Sequence, residues 1–262
     1  EAMVAGDVDG DGADEVASDF GAIGAWLWSA KSGWTQLTNL DAALVTMADL
    51  DGTGSPEVVG GFGTMGLWRW GGGAWTQLSG APRAYWAMPA GTGGPGAEDL
   101  VASFESAGLW LWTSGAWLAL SGERPDFIIG ADLDGDAADE VLADYGPLGL
   151  WVWKAGVWNQ LSGANSEFMM PADLNGDGEE EAAVDFADRG LWVFDGGTWL
   201  QISGENPEAM LSGDLDGDGI QELVADFGAV GLWQWNQGVW THISPLNPEQ
   251  IKAGGSVPGR TI

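Results

Sequence analysis

Apolar residues along this chain come in short runs separated by Gly-rich polar turns, and no stretch keeps a 3.6-residue period over a helix's length. Between residues 208 and 244 four such runs follow one another: Glu208–Gly213, Glu222–Asp226, Gly231–Trp235 and Val239–Ile243. Trp233 and Trp235 stand two apart, so on a strand they share one face. The pattern predicts four short strands joined by tight turns.

The same pattern recurs. Aligned on the first acid of a polar cluster, copies begin at Asp7, Asp49, Gly91, Asp132, Asp173 and Asp214, at spacings of 42, 42, 41, 41 and 41 residues. Each copy opens with an acid–Gly cluster and continues with Gly-Leu-Trp-x-Trp or a close variant. It closes on a Gly-x-Trp-x-x-Leu-Ser type segment. Four strands in about 41 residues, repeated, is the blade of a β-propeller. The expected fold is therefore all-β, a propeller of four-stranded blades with six complete repeats. They occupy residues 1–245 and start near residues 1, 43, 85, 126, 167 and 208. Six blades are favoured over seven. Two β-sandwiches would have no need of six copies of one unit. Residues 246–262 form a tail in which Glu249–Gly254 is similar to the opening strand of a copy. As an extra strand it could pair with a sheet edge in the same molecule or in another, giving a homo-oligomer or filament.

The acid clusters change the picture from fold to chemistry. Numbered from its first acid, copy one places Asp7, Asp9, Asp11 and Glu15 at positions 1, 3, 5 and 9. Copy two places Asp49, Asp51, Thr53 and Glu57 there, and copy four Asp132, Asp134, Asp136 and Glu140. Copy five has Asp173, Asn175, Asp177 and Glu181, and copy six Asp214, Asp216, Asp218 and Glu222. Oxygens at 1, 3 and 5 curl around one point when the loop is tight. Gly at position 6 supplies the turn, except in copy four, which has Ala137. The position-7 carbonyls of Ala13, Ser55, Ala138, Glu179 and Ile220 would add a further oxygen. Such an all-oxygen, multi-carboxylate set suits Ca²⁺ rather than Mg²⁺. It is not an EF-hand, whose loop carries its bidentate Glu at position 12 between helices. A plain Asp-Gly hairpin turn explains one copy but not oxygen side chains at fixed spacing in five. Copy three reads "GTGGPGAED" and keeps only Asp99, so no calcium is expected there. Copy two, with Thr53, should be the weakest of the five sites.

The segments "DLDGDGIQELVADFG" and "DLNGDGEEEAAVDFA" resemble the FG-GAP or VCBS repeats of integrin-α-type propellers. The resemblance extends over all six copies. It implies the propeller fold, calcium held at positions 1, 3, 5, 7 and 9, and an extracellular setting. The Glu at position 9, the short repeat and the count of six depart from the family's pattern.

Charge narrows the partners. The chain has 39 acids against 8 Lys and Arg, a net charge of -31, which argues against nucleic acid and against anionic lipid. Cysteine is absent and His242 is the single histidine, so His/Cys zinc sites and thiol chemistry are excluded and no catalytic residue set is visible. No apolar run is long enough for a membrane helix.

The Trp pairs are expected to fill the space between blades. The closing tryptophans, Trp34, Trp75, Trp117, Trp158, Trp199 and Trp240, are candidates for stacking on a sugar. Trp86 lies outside the repeat pattern. The expectation is a calcium-stabilised, non-enzymatic, secreted or cell-surface binding or adhesive module with a protein partner. A lectin with a glycan partner is the alternative.

Overall fold

The computed structural model describes residues 2–80, 83–93 and 96–252. These form six antiparallel four-stranded sheets, each a meander in chain order. They fall into two compact units, one up to Pro125 and one from Asp126 onward.

Unit one holds three sheets. Strands β1–β4 are Met3–Gly6, Glu15–Asp19, Ala25–Ser29 and Gly33–Gln36; β5–β8 are Leu44–Ala48, Glu57–Gly61, Leu67–Gly71 and Ala74–Ser79; β9–β12 are Ala84–Ala90, Asp99–Phe104, Gly108–Thr113 and Ala116–Ser121. Unit two holds the other three. Strands β13–β16 are Phe127–Ala131, Glu140–Asp144, Leu150–Lys154 and Val157–Ser162; β17–β20 are Phe168–Ala172, Glu181–Asp185, Leu191–Asp195 and Thr198–Ser203; β21–β24 are Ala209–Gly213, Glu222–Asp226, Leu232–Asn236 and Val239–Ser244. The acid loop always joins the first strand of a sheet to the second, so position 9 opens the second strand. In the sixth sheet the expected strands fall within one residue of the observed ones. Glu249–Lys252 carry no strand, and the rest of the expected tail strand lies outside the described residues.

Five of the six second strands are buried along their whole length, as in Glu140–Asp144 and Glu222–Asp226, and in β2 only Val16 is half-buried. Within each unit, consecutive sheets share a core. In unit two, Leu142, Leu150 and Val152 of one sheet meet Met169, Val184 and Phe186 of the next. Leu191 and Val193 then meet Met210, Leu223 and Phe227. Unit one repeats this with Ala17 and Leu27 against Val45 and Phe62, and with Val59 and Leu67 against Leu100 and Phe104. Burial of branched side chains on both faces supplies the main folding drive, at about 1.5–3 kcal/mol for each fully covered one.

A recurring turn fixes how the third strand leaves the second. In five of the sheets a single 3-10 turn follows the second strand and ends on Gly at positive φ. Gly149, at φ 81°, has no room for a side chain, because a Cβ there would lie 2.2 Å from the Ser162 carbonyl oxygen. That close approach, rather than the turn alone, requires Gly. Among the described residues no helix is long and apolar enough to cross a membrane.

Candidate functional site

The acid loops fold around their own backbone. The position-1 carboxylate collects the loop N–H groups: Asp7 accepts from Asp11 (2.9 Å) and Gly12 (2.8 Å), and Asp214 from Gly217 (2.7 Å) and Gly219 (3.0 Å). Asp49 and Asp173 do the same. At position 5, Asp11, Asp136, Asp177 and Asp218 each accept from the N–H two residues on. These Asx turns hold positions 1, 3 and 5 in one tight curl. Ala137 takes the curl at φ 65° without the freedom of Gly.

The position-9 glutamates are the buried wall of each loop, at 5% exposure or less. One oxygen, Oε2, is locked by the N–H of position 2, from Val8, Leu50, Leu133, Leu174 and Leu215, at 2.7–3.1 Å. In four loops the other oxygen, Oε1, receives an N–H donor of the same repeat. Glu57 holds Arg69 Nη1 at 2.9 Å, Glu140 holds Lys154 Nζ at 2.9 Å, Glu181 takes Asn175 Nδ2 at 2.7 Å and Glu222 takes Asn236 Nδ2 at 2.8 Å. Burial drives the Glu57 and Glu181 carboxyls up to about 7, with Asp51 adding to the first and the Asp195, Asp177 and Asp173 carboxylates to the second. Burial also raises Glu140, but the Lys154 ammonium opposes it.

Carboxylate oxygens of Asp7, Asp9 and Glu15 lie within 4.8 Å of one another, as do those of Asp49, Asp51 and Glu57. The same holds for Asp132, Asp134 and Asp136, and for Asp214, Asp216 and Asp218. These four clusters could hold a metal ion. The donor set is all oxygen, and in loop four Asp132 Oδ1 is buried without a hydrogen-bond partner. Both features fit a hard cation. Loop five brings Asp173, Asn175, Asp177 and Glu181 onto the same curl through the bonds given above.

Loop three differs as its sequence implies. Asp99 is buried and the hydroxyl of Thr92, at position 2, donates to it, whereas positions 1, 3 and 5 bring no acid. Glu98, at position 8, reaches back instead: its carboxylate accepts from Asp49 N–H at 2.7 Å, and its own N–H donates to the Asp49 carbonyl. Glu180 does this to Asp132 and Gln221 to Asp173. Successive loops within a unit are thus coupled, a link that fixed positions 1 to 9 did not suggest.

A second acid was also missed. At the end of the second strand, Asp19, Asp144, Asp185 and Asp226 are buried at 2% exposure or less. Each caps the N–H two residues on. Each also grips the segment that enters the next repeat. Asp19 accepts from Ala42 N–H, and Asp144 from the N–H (2.7 Å) and hydroxyl (2.5 Å) of Ser166. With their amides turned nitrogen-inward, Asn206 donates to Asp185 (3.0 and 3.1 Å) and Asn247 to Asp226 (3.3 Å). Burial lifts Asp185 to about 6. The signal was the recurring Asp before Phe or Tyr; repeats two and three carry Gly61 and Ser103 there.

The tryptophans are structural in their contacts. The first Trp of each pair, as in Trp68 and Trp151, donates to the carbonyl three residues back, at 2.7–3.4 Å. Trp153 and Trp235 are buried. Of the closing set, Trp75, Trp117, Trp199 and Trp240 donate to carbonyls of the preceding repeat, those of Leu37, Leu78, Leu161 and Ile202. All six closing rings stand edge-on to the aromatic at or just after the end of the second strand. Trp158 is half-buried like these, whereas Trp34 is 48% exposed. Trp86 lies in β9 opposite Ser103 and is half-buried.

No protein-family model matches the chain, and no curated protein matches it. Solved structures do. BBS1N in complex with ARL6DN superposes with a TM-score of 0.66 at 13% identity, over 93% of this chain and 82% of that one. The rhamnogalacturonan lyase YesW gives 0.59 at 17% identity, over 92% of this chain and 56% of that one. Rhamnogalacturonan lyase PL11 of Bacillus licheniformis gives 0.57 at 15%, with the same coverage. This chain thus spans little more than half the length of either lyase. Likeness at these identities is one of fold alone, and it makes this chain a β-propeller-like array of repeated four-stranded sheets.

Proposed function

We propose that the chain is a calcium-stapled β-propeller, six-bladed by its repeat count, acting outside the cytoplasm as a non-enzymatic binding or structural module. The single observation that carries this is the position-9 glutamate. Its Oε2 is locked on backbone while Oε1 faces the curl of positions 1, 3 and 5, and in four loops draws a nitrogen donor inward. A centre that gathers cationic or N–H groups from its own chain is electrostatically prepared for a cation. Flexible carboxylate and carbonyl oxygens favour calcium, and modest sites of this kind fill at extracellular concentrations. Calcium would be held by positions 1, 3, 5 and 9 and the position-7 carbonyl of loops one, two, four, five and six. It would pin each hairpin at the point where like charges otherwise repel.

Binding rather than catalysis is supported by His242, the single histidine of the chain, whose ring packs at 4.6 Å on that of Trp233. Self-assembly through the tail is supported by Asn247, which repeats toward Asp226 what Asn206 does toward Asp185, as though a further repeat were beginning. Deleting residues 246–262 should then reduce assembly size in light scattering, and an unchanged size would sink strand donation. The sugar-binding alternative rests on exposed Trp34 beside exposed Phe20, ring centres 5.3 Å apart. A glycan array with Trp34→Ala as control tests it. The calcium reading itself is tested by melting with calcium and with EDTA. A cation at tenfold its Kd stabilises the folded state by about 1.4 kcal/mol per site, so a clear chelator-induced drop is expected. Superimposable curves would refute it.

A further inference from the structure

The five acid loops differ in what faces them from the third strand and its turn. In repeat four, Lys154 at the end of β15 puts its ammonium 3.0 Å from Asp136 Oδ2 and 2.9 Å from Glu140 Oε1, and it also touches Asp134. In repeat two, Arg69 from β7 lies 2.9 Å from Glu57 Oε1 and 3.9 Å from Asp51 Oδ2. In repeat one, Lys31 from the following turn contacts Asp11 and lies 3.6 Å from Asp9 Oδ2. Three of the chain's eight Lys and Arg residues therefore stand at these loops. The position of Lys154 is taken in repeat five by Asp195, at the end of β19, and in repeat six by Asn236, at the end of β23. Asn236 reaches Asp216 and Glu222 with a neutral amide.

We propose that Lys31, Arg69 and Lys154 are tethered counter-ions that compete with the divalent cation for loops one, two and four, so that loops five and six fill first. This rests on the calcium reading above. The ammonium of Lys154 touches three of the carboxylates that a cation in loop four would need. An incoming ion must displace it, or share the carboxylates against a like charge a few ångströms away. Among the described residues no Lys or Arg is ion-paired to loop five or six, and in loop five Asp195 adds a fourth carboxylate to Asp173, Asp177 and Glu181. The chain thereby holds graded sites built from one motif. Loops one, two and four are stapled by protein charge when calcium is scarce, whereas loops five and six depend on the metal.

Calcium titration calorimetry on the whole chain tests this, comparing wild type, Lys154→Met and Asn236→Lys. Methionine keeps most of the side chain's unbranched length and removes the charge. The expected result is two affinity classes in wild type. In K154M one site should leave the weak class and bind about tenfold tighter, a change equal to about 1.4 kcal/mol. In N236K one tight site should weaken by a similar factor. The paired variants change affinity in opposite directions, so misfolding of one cannot imitate the pattern. In EDTA, K154M should melt below wild type, because its acids lose their counter-ion, and calcium should restore it. If wild type binds calcium and both variants give superimposable isotherms, the tethered counter-ions are refuted while the calcium reading stands. Absence of binding in all three proteins refutes the calcium reading and this inference with it.

Discussion

Asp144→Ala removes the most fully engaged of the buried strand-end acids. Asp144 is 0% exposed and its two oxygens hold Gly146 N–H at 2.8 Å, Ser166 N–H at 2.7 Å and the Ser166 hydroxyl at 2.5 Å. A hydrogen bond to an ionised acceptor contributes about 1.5–3 kcal/mol, and a stranded buried donor costs a comparable amount. Three such bonds in one network do not add, and deletion also removes the desolvation cost of the carboxylate. The expected loss is about 3–4 kcal/mol, or roughly 10 °C in Tm for a chain of this size. Asp144→Asn keeps one acceptor oxygen and should lose about 1–2 kcal/mol. The assay is thermal and urea unfolding by circular dichroism at fixed calcium. A D144A protein melting within about 2 °C of wild type would show that the grip on the next repeat is incidental and would refute the reasoning.

Three further outcomes follow from the geometry. Ala137→Gly relieves a left-handed alanine, worth about 1–2 kcal/mol less about 0.5–1 for the entropy of Gly, so loop four should gain up to about 1.5 kcal/mol in unfolding experiments; a destabilised variant would contradict the strain. In EDTA, Glu57 and Glu181 have folded values near 7 against an ordinary 4.5. The folded state then binds protons more tightly than the unfolded one, and stability should rise as pH falls from 8 toward 4.5, by about 2–3 kcal/mol per group at most; with calcium bound the slope should reverse, since protons then displace the ion, and equal slopes in both buffers would refute this. Trp199→Ala loses the edge contact to Phe186, the tilted ring contact to Phe194 and the bond to the Leu161 carbonyl, which should cost about 3 kcal/mol in a urea titration, with Trp199→Phe losing about 1; a neutral alanine variant would show that the ring is a free surface platform.

The repeat and the acid loops were legible because both are periodic in sequence. A spacing of 41 or 42 residues exposes the unit, and oxygens at positions 1, 3, 5 and 9 mark the curl. Copy three was legible by its missing acids, although the Thr92 hydroxyl on Asp99 was not, since a position-2 residue had no role in the pattern. What stayed hidden depends on contacts between repeats. Asp144 and Ser166 are 22 residues apart, and Trp199 and Leu161 38 apart. Nothing local says that these groups meet until the sheets are stacked. The tethered cations were hidden for the opposite reason. Leu27, Arg69 and Gln234 vary at one position, which reads as divergence until the side chain is seen to lie on an acid loop.

Ion counting by native mass spectrometry, after dialysis against millimolar calcium and again after EDTA, tests the central claim most directly. The account predicts up to five calcium ions per chain, none from the third repeat, and their loss to the chelator with a fall in Tm. A chain that carries no calcium at millimolar concentration, or whose Tm ignores its removal, would contradict it.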